Sequence, residues 1–133
     1  MKIRLYTDDE IKKLKQCIFI KDVKYKRELE YDPLFKLWTI MMKHDFPELS
    51  AREIFSRGGL DTTILNKKLP QRRIKEWEDN YKKFGIRYFL PENECYKSIT
   101  YTKDNKLYYD SFKIQLMDFV LNRLKEINIE ENR

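Results

Sequence analysis

Between Lys67 and Lys75 the sequence carries five cations and no acid. A run of that kind has one ready chemistry, ion pairing with a polyanion, and phosphate is the commonest polyanion in a cell. The surroundings point the same way: residues 61–90 hold eight Lys or Arg against four acids, whereas residues 91–133 hold seven against eight. The chain as a whole is only modestly basic, at +6 from 28 basic and 22 acidic residues, so position matters more than total. Lys67 and Lys68 stand just ahead of a predicted helix over 70–84, where lysines and unpaired first-turn amides together can grip a phosphate. At 100° per residue Ile74, Trp77, Tyr81 and Phe84 share one side of that helix. Arg72, Lys75, Asp79 and Lys83 lie roughly opposite, with Gln71 and Arg73 at the flanks. This assigns Lys67, Lys68 and Arg73 to phosphates and Gln71, Arg72 and Lys75 to base edges, arginine and lysine suiting guanine and glutamine adenine. Glu76, Glu78 and Asp79 follow and repel phosphate, which confines the contact to the N-terminal half.

Other chemistries find little material. His44 is the single histidine, and Cys17 and Cys95 have no paired-ligand spacing, so no metal site is expected. His44 is expected at a helix C-terminus, where a partly positive ring is favoured. Nucleophilic catalysis would need an activating base beside Cys17 or Cys95, for which the sequence offers no support, and Gly58-Gly59 is not a phosphate loop. We therefore expect no catalytic residues, no cofactor and no enzyme activity. No stretch approaches the roughly 20 apolar residues of a membrane span. The N-terminus lacks the apolar run of an export signal, and a cytoplasmic location with reduced thiols is expected. Tyr88 and Phe89, with Tyr96, Tyr101, Tyr108 and Tyr109, could stack on unpaired bases, but such rings more often close a small core.

The elements that must position the cations read as helices. Thr7-Asp8-Asp9-Glu10 and Ser50-Ala51-Arg52-Glu53 are capping boxes, opening helices over about 8–17 and 51–57. Asp32-Pro33 is an N-cap followed by proline at the first helical position. It opens a helix over 33–44 with Leu34, Leu37, Trp38 and Met41 on one face, widened by Phe35 and Met42. Gly58-Gly59 ends the 51–57 helix, and a brief connection leads to the basic helix. Ile18 and Ile20 alternate as in a strand, but no partner strand is evident, so residues 18–30 are expected to be an extended linker. A last helix over 111–127 carries one stripe of Phe112, Leu116, Phe119, Val120, Leu124 and Ile127 and a second of Ile114, Met117 and Leu121, with residues 128–133 fraying. Two apolar faces suit either a homodimer seam or burial on both sides. The expected fold class is all-α: an N-terminal helix and linker in 1–30, a helix-turn-helix module in 31–85, and an irregular Tyr-rich segment with a C-terminal helix in 86–133. In such a module two helices buttress a third whose exposed face enters the major groove.

The run Ser50-Ala51-Arg52-Glu53-Ile54-Phe55-Ser56-Arg57-Gly58-Gly59-Leu60-Asp61, with Arg73-Ile74 and Trp77 downstream, resembles a helix-turn-helix family of low-GC Gram-positive bacteria. That family is similar to the DNA-binding first frame of insertion-sequence transposases. Tyr6-Thr7-Asp8-Asp9-Glu10-Ile11, Phe19-Ile20-Lys21-Asp22-Val23 and Lys97-Ser98-Ile99-Thr100-Tyr101-Thr102 are similar to it as well. The resemblance covers about residues 6–84 and implies recognition of double-stranded DNA by the 70–84 helix, with Arg72, Arg73 and Lys75 as contacts. A regulator or accessory factor of a mobile element or phage is the expected role. The alternative is a mobile-element or phage protein that docks the same basic helix on a host protein or ribonucleoprotein and inhibits it.

Overall fold

The computed structural model describes residues 5–90 and 111–131, and it divides into two compact units, Met1–Trp77 and Glu78–Arg133. Cys95, the Lys97–Thr102 motif and Tyr96, Tyr101, Tyr108 and Tyr109 lie outside the described residues. In chain order the elements are α1 (Asp8–Lys15), β1 (Ile20–Lys24), β2 (Glu28–Tyr31), α2 (Pro33–Asp45), α3 (Ala51–Arg57), α4 (Leu69–Phe84), a 3-10 turn (Ile86–Tyr88) and α5 (Ser111–Glu131). The fold is mostly helical but not all-α, because β1 and β2 pair antiparallel where a linker was expected.

Two features hide this hairpin from the sequence. Pairing jumps from Ile20↔Tyr31 to Asp22↔Glu30, which leaves Lys21 without a ladder partner, as in a β-bulge. The bulge breaks the two-residue alternation, so Ile20 and Val23, three positions apart, are both buried while Lys21 and Lys24 are exposed. The turn also lacks the Asn-Gly or Asp-Gly signal of a tight hairpin. Tyr25 and Lys26 take its left-handed positions, at φ 54° and 55°, and strain of about 1–2 kcal/mol per residue is the usual cost for side chains with a Cβ. The turn is held from outside: the Lys26 carbonyl accepts from the Tyr6 amide at 2.7 Å.

Both capping boxes form. Thr7 Oγ accepts from the Glu10 amide at 3.2 Å and Glu10 accepts from the Thr7 amide at 2.9 Å, and Ser50 and Glu53 repeat the exchange at 3.1 and 3.0 Å. Asp32, buried, accepts from the Leu34 amide at 2.9 Å and starts α2. Helix α1 stops at Lys15 rather than Cys17, and Ile18 is left exposed. His44 does sit in the last turn of α2, against Asp45 at 3.2 Å.

The core of the first unit is aromatic. Helix α2 buries Leu34, Phe35, Leu37, Ile40, Met41 and Met42. Phe35 is its centre, with ring centroids 5.4 Å from Phe19, 5.8 Å from Tyr31, 5.8 Å from Trp38, 5.1 Å from Phe55 and 6.0 Å from Trp77. These rings come from the β1 approach, the end of β2, and α2, α3 and α4, so one cluster ties the hairpin to three helices. Each such pair contributes about 0.5–1.5 kcal/mol beyond the apolar area it buries.

Gly58 and Gly59 both end α3, for different reasons. Gly59 takes the left-handed conformation at φ 97°, whereas Gly58 does not, at φ −78°. Gly58 is glycine for room: a Cβ there would stand 2.6 Å from Phe35 Cε1 and 3.2 Å from Trp38 Cζ3. Its carbonyl also accepts from the buried Cys17 thiol at 3.3 Å.

In the second unit the outcome for α5 differs from the expected stripes. Met117, Val120, Leu124 and Ile127 are buried, at spacings of three and four, while Phe112 and Phe119 are exposed. The helix continues through residues 128–131, where fraying was expected.

Gly58→Ala should lower stability by about 1–3 kcal/mol, because the added methyl overpacks the Phe35 and Trp38 rings. Chemical denaturation measures this directly, and an unchanged midpoint would mean the rings can yield.

Candidate nucleic-acid interface

Helix α4 begins at Leu69. Its entry is shaped by Asn66, whose side-chain oxygen accepts from the Lys68 amide at 2.9 Å while its carbonyl accepts from the Leu69 amide at 3.0 Å. Pro70, one residue in, is buried and needs no amide partner there. Ile74 and Trp77 are buried, and the Trp77 ring lies 6.0 Å from Phe55 and 4.9 Å from Tyr31. Two anchors three residues apart fix the rotation of the helix, and the side chains between and opposite them must face outward.

The observed exposure follows. Lys67, Lys68, Gln71, Arg72 and Lys75 are exposed, and Arg73 is half-buried. The segment therefore presents four exposed cations and one amide. Arg73, expected on phosphate, also pairs within the helix: its guanidinium lies 3.0 Å from Glu76 and stands beside the Tyr31 hydroxyl. That hydroxyl is buried with no hydrogen-bond partner among the described residues. Burial pushes its pKa well above the ordinary tyrosine value, with Arg73 opposing. Structurally, Arg73 is a rim residue between core and surface, whereas the sequence reading made it a phosphate contact.

Two further features of α4 differ from expectation. Phe84, placed by spacing on the inward side with Ile74, Trp77 and Tyr81, is exposed. The connection from α3, read as brief, runs from Gly58 to Lys68 and buries Leu60, Ile64 and Leu65. It is longer than the turn of about three to four residues that joins the helices of a helix-turn-helix. It has its own internal order, since Asp61 accepts from both the amide and the hydroxyl of Thr63, bonds that hold its carboxyl below the usual aspartate range. Arg52 of α3 reaches the connection through Thr62 Oγ at 3.3 Å.

Lys36 of α2 was missed by the sequence reading. Its ammonium lies 5.9 Å from the centre of the Trp77 ring, and desolvation, opposed by Glu76 but reinforced by Lys21 and Arg73, lowers its pKa. Lys21 from the bulge and Arg73 from α4 thus both act electrostatically on Lys36 of α2. The available signal was a lone charge in the apolar run of α2, Pro33 to Met42.

Among the described residues no group of three or more His, Cys, Asp or Glu side chains is gathered as metal ligands would be, and no helix is long and apolar enough to cross a membrane. No family model matches the chain, and neither a curated protein nor a solved structure matches it. The likeness to transposase-type helix-turn-helix proteins rests on its sequence motifs alone.

Because the folded environment disfavours the Lys36 charge, Lys36→Met should raise the melting temperature at neutral pH. With a folded-state pKa below the ordinary 10.5, the wild type sheds this cost as pH climbs through that lowered value toward 10.5, since the folded state then binds fewer protons than the unfolded one. The advantage of the variant should therefore shrink in alkaline buffer. Thermal melts of both proteins across that range check the sign.

Proposed function

We propose that the protein binds double-stranded DNA through residues 67–75, as a regulator or accessory factor of a mobile element or phage. The observation that carries this reading is the split along the first half of α4. Ile74 and Trp77 lock one side into the aromatic core, and Lys67, Lys68, Arg72 and Lys75 stand exposed on a stretch with no acid. An anchored helix with its cations outward has its backbone already ordered for phosphate, so the ordering left to binding is that of the Lys and Arg side chains. Gln71, exposed between Lys68 and Arg72, has donors and an acceptor that match an adenine edge in the major groove. Lys67 and Lys68 neutralise the backbone and set register, as phosphate contacts do, and Arg72 and Lys75, directed at base edges on a specific site, meet phosphates on a duplex of random sequence. The sequence motifs support the mobile-element setting.

Fluorescence anisotropy on a labelled random-sequence duplex, at low and at physiological salt, tests this. The wild type should bind with a steep salt dependence. Arg72→Glu/Lys75→Glu should weaken binding by about tenfold or more and flatten the log–log salt slope by about two, one for each lost phosphate contact. If the wild type fails to bind even at low salt, or the variant binds equally well, the reading is wrong.

A further inference from the structure

The second unit carries an exposed aromatic platform outside the 67–75 segment. Helix α4 ends at Phe84, and its last-turn carbonyl on Tyr81 accepts from the Gly85 amide at 2.8 Å. Gly85 then takes φ 72° and ψ −167°, a conformation essentially reserved for glycine. This reversal, followed by the 3-10 turn, brings Tyr88 back onto Phe84, with ring centroids 5.3 Å apart and planes 18° from parallel. The stack is braced from below. Phe89 is buried, meets Tyr88 edge-on at 5.2 Å, and lies 6.5 Å from Tyr81. The two stacked rings nevertheless remain open to solvent, Phe84 at 57% and Tyr88 at 50%.

Cations stand beside them, with the acids Glu78 and Asp79 one turn earlier on α4. Lys82, Lys83 and Arg87 are all exposed, and no acid occurs from Asn80 to Leu90. Ordinary core rings would be covered, whereas these two are held face to face in solvent by the turn at Gly85. Flat apolar faces flanked by cations are the pairing that unpaired nucleobases require, since the rings take the base and the cations take the adjoining phosphates.

We propose that Phe84 and Tyr88 form a stacking platform for unpaired bases of a single DNA strand, with Lys82, Lys83 and Arg87 on its phosphates. Stacking accepts any base, so this contact is indifferent to sequence. The choice of DNA over RNA rests on the duplex-DNA reading of the 67–75 segment; the stacking itself rests on Phe84, Gly85 and Tyr88.

The test uses the full chain and a labelled oligothymidylate of about 12 nucleotides, the length range that single-strand sites cover. An abasic strand of the same length and an oligouridylate of the same length run beside it. Wild type should bind oligothymidylate, and bind the abasic strand about tenfold more weakly or worse. Phe84→Ala/Tyr88→Ala should treat oligothymidylate as the wild type treats the abasic strand. Its unchanged melting temperature would show that two exposed rings can be removed without unfolding. Phe84→Trp/Tyr88→Phe, which keeps both π-faces, should retain binding. Arg72→Glu/Lys75→Glu should keep single-strand binding even where it loses the duplex, so the two sites fail separately. The proposal is overturned if wild type does not bind oligothymidylate, if the alanine variant binds it as tightly as wild type, if the abasic strand binds equally well, or if oligouridylate is preferred.

Discussion

Everything in the first unit depends on the packing of five rings around Phe35. Tyr31 ends the hairpin, Phe55 lies at the middle of a two-turn helix, and Trp77 lies halfway along α4. None of these elements is long or regular enough to hold itself in place. A four-residue strand and a seven-residue helix are marginal alone, and they persist because each contributes a ring to the same buried cluster. The cluster is close-packed to the point of demanding glycine at position 58, where the α3 backbone passes against Phe35 and Trp38. Removing a large buried ring from such a site typically costs about 3–5 kcal/mol, which for a chain of this size is a sizeable part of its stability.

The same constraint orders the surface. Trp77 is both a core residue and the pivot of α4, so what the cluster fixes inside determines which cations emerge outside. It also explains the divided behaviour of the basic run. Arg72 and Lys75 fall away from the anchors and stay exposed, while Arg73, four positions before Trp77 and so on its side of the helix, is half-buried and pairs with Glu76. Lys36 meets the opposite circumstance: its ammonium lies over the Trp77 ring and is partly desolvated by burial. In the second unit Gly85 brings Tyr88 back onto Phe84 beside the exposed Lys82 and Lys83.

Local signals in the sequence were legible. Both capping boxes, the Asp32-Pro33 start and the stop at Gly58-Gly59 act within a few residues, and each appears in the structure where it was expected. The hairpin was not legible. A bulge at Lys21 destroys its alternation, and its turn uses Tyr25 and Lys26 where a glycine would have announced it. Nor was the reason for Gly58, because the ring it accommodates is remote in sequence. In α5, with apolar residues on most of its circumference, periodicity could not choose a buried line, and the structure buries Met117, Val120, Leu124 and Ile127 while exposing Phe112 and Phe119. The cationic run was visible as composition. The pairing of Arg73 with Glu76 is an i,i+3 contact within α4, whereas the place of Lys36 depends on Trp77 from another element.

The central claim is that the exposed side of the first half of α4 is the surface that meets duplex DNA. Backbone amide NMR during titration of the isotope-labelled protein with a short duplex tests it residue by residue. Shifts should concentrate at residues 66–75, with the hairpin tip at Tyr25 and Lys26 unmoved. Perturbations centred on the hairpin or on α5, with residues 66–75 silent, would contradict it.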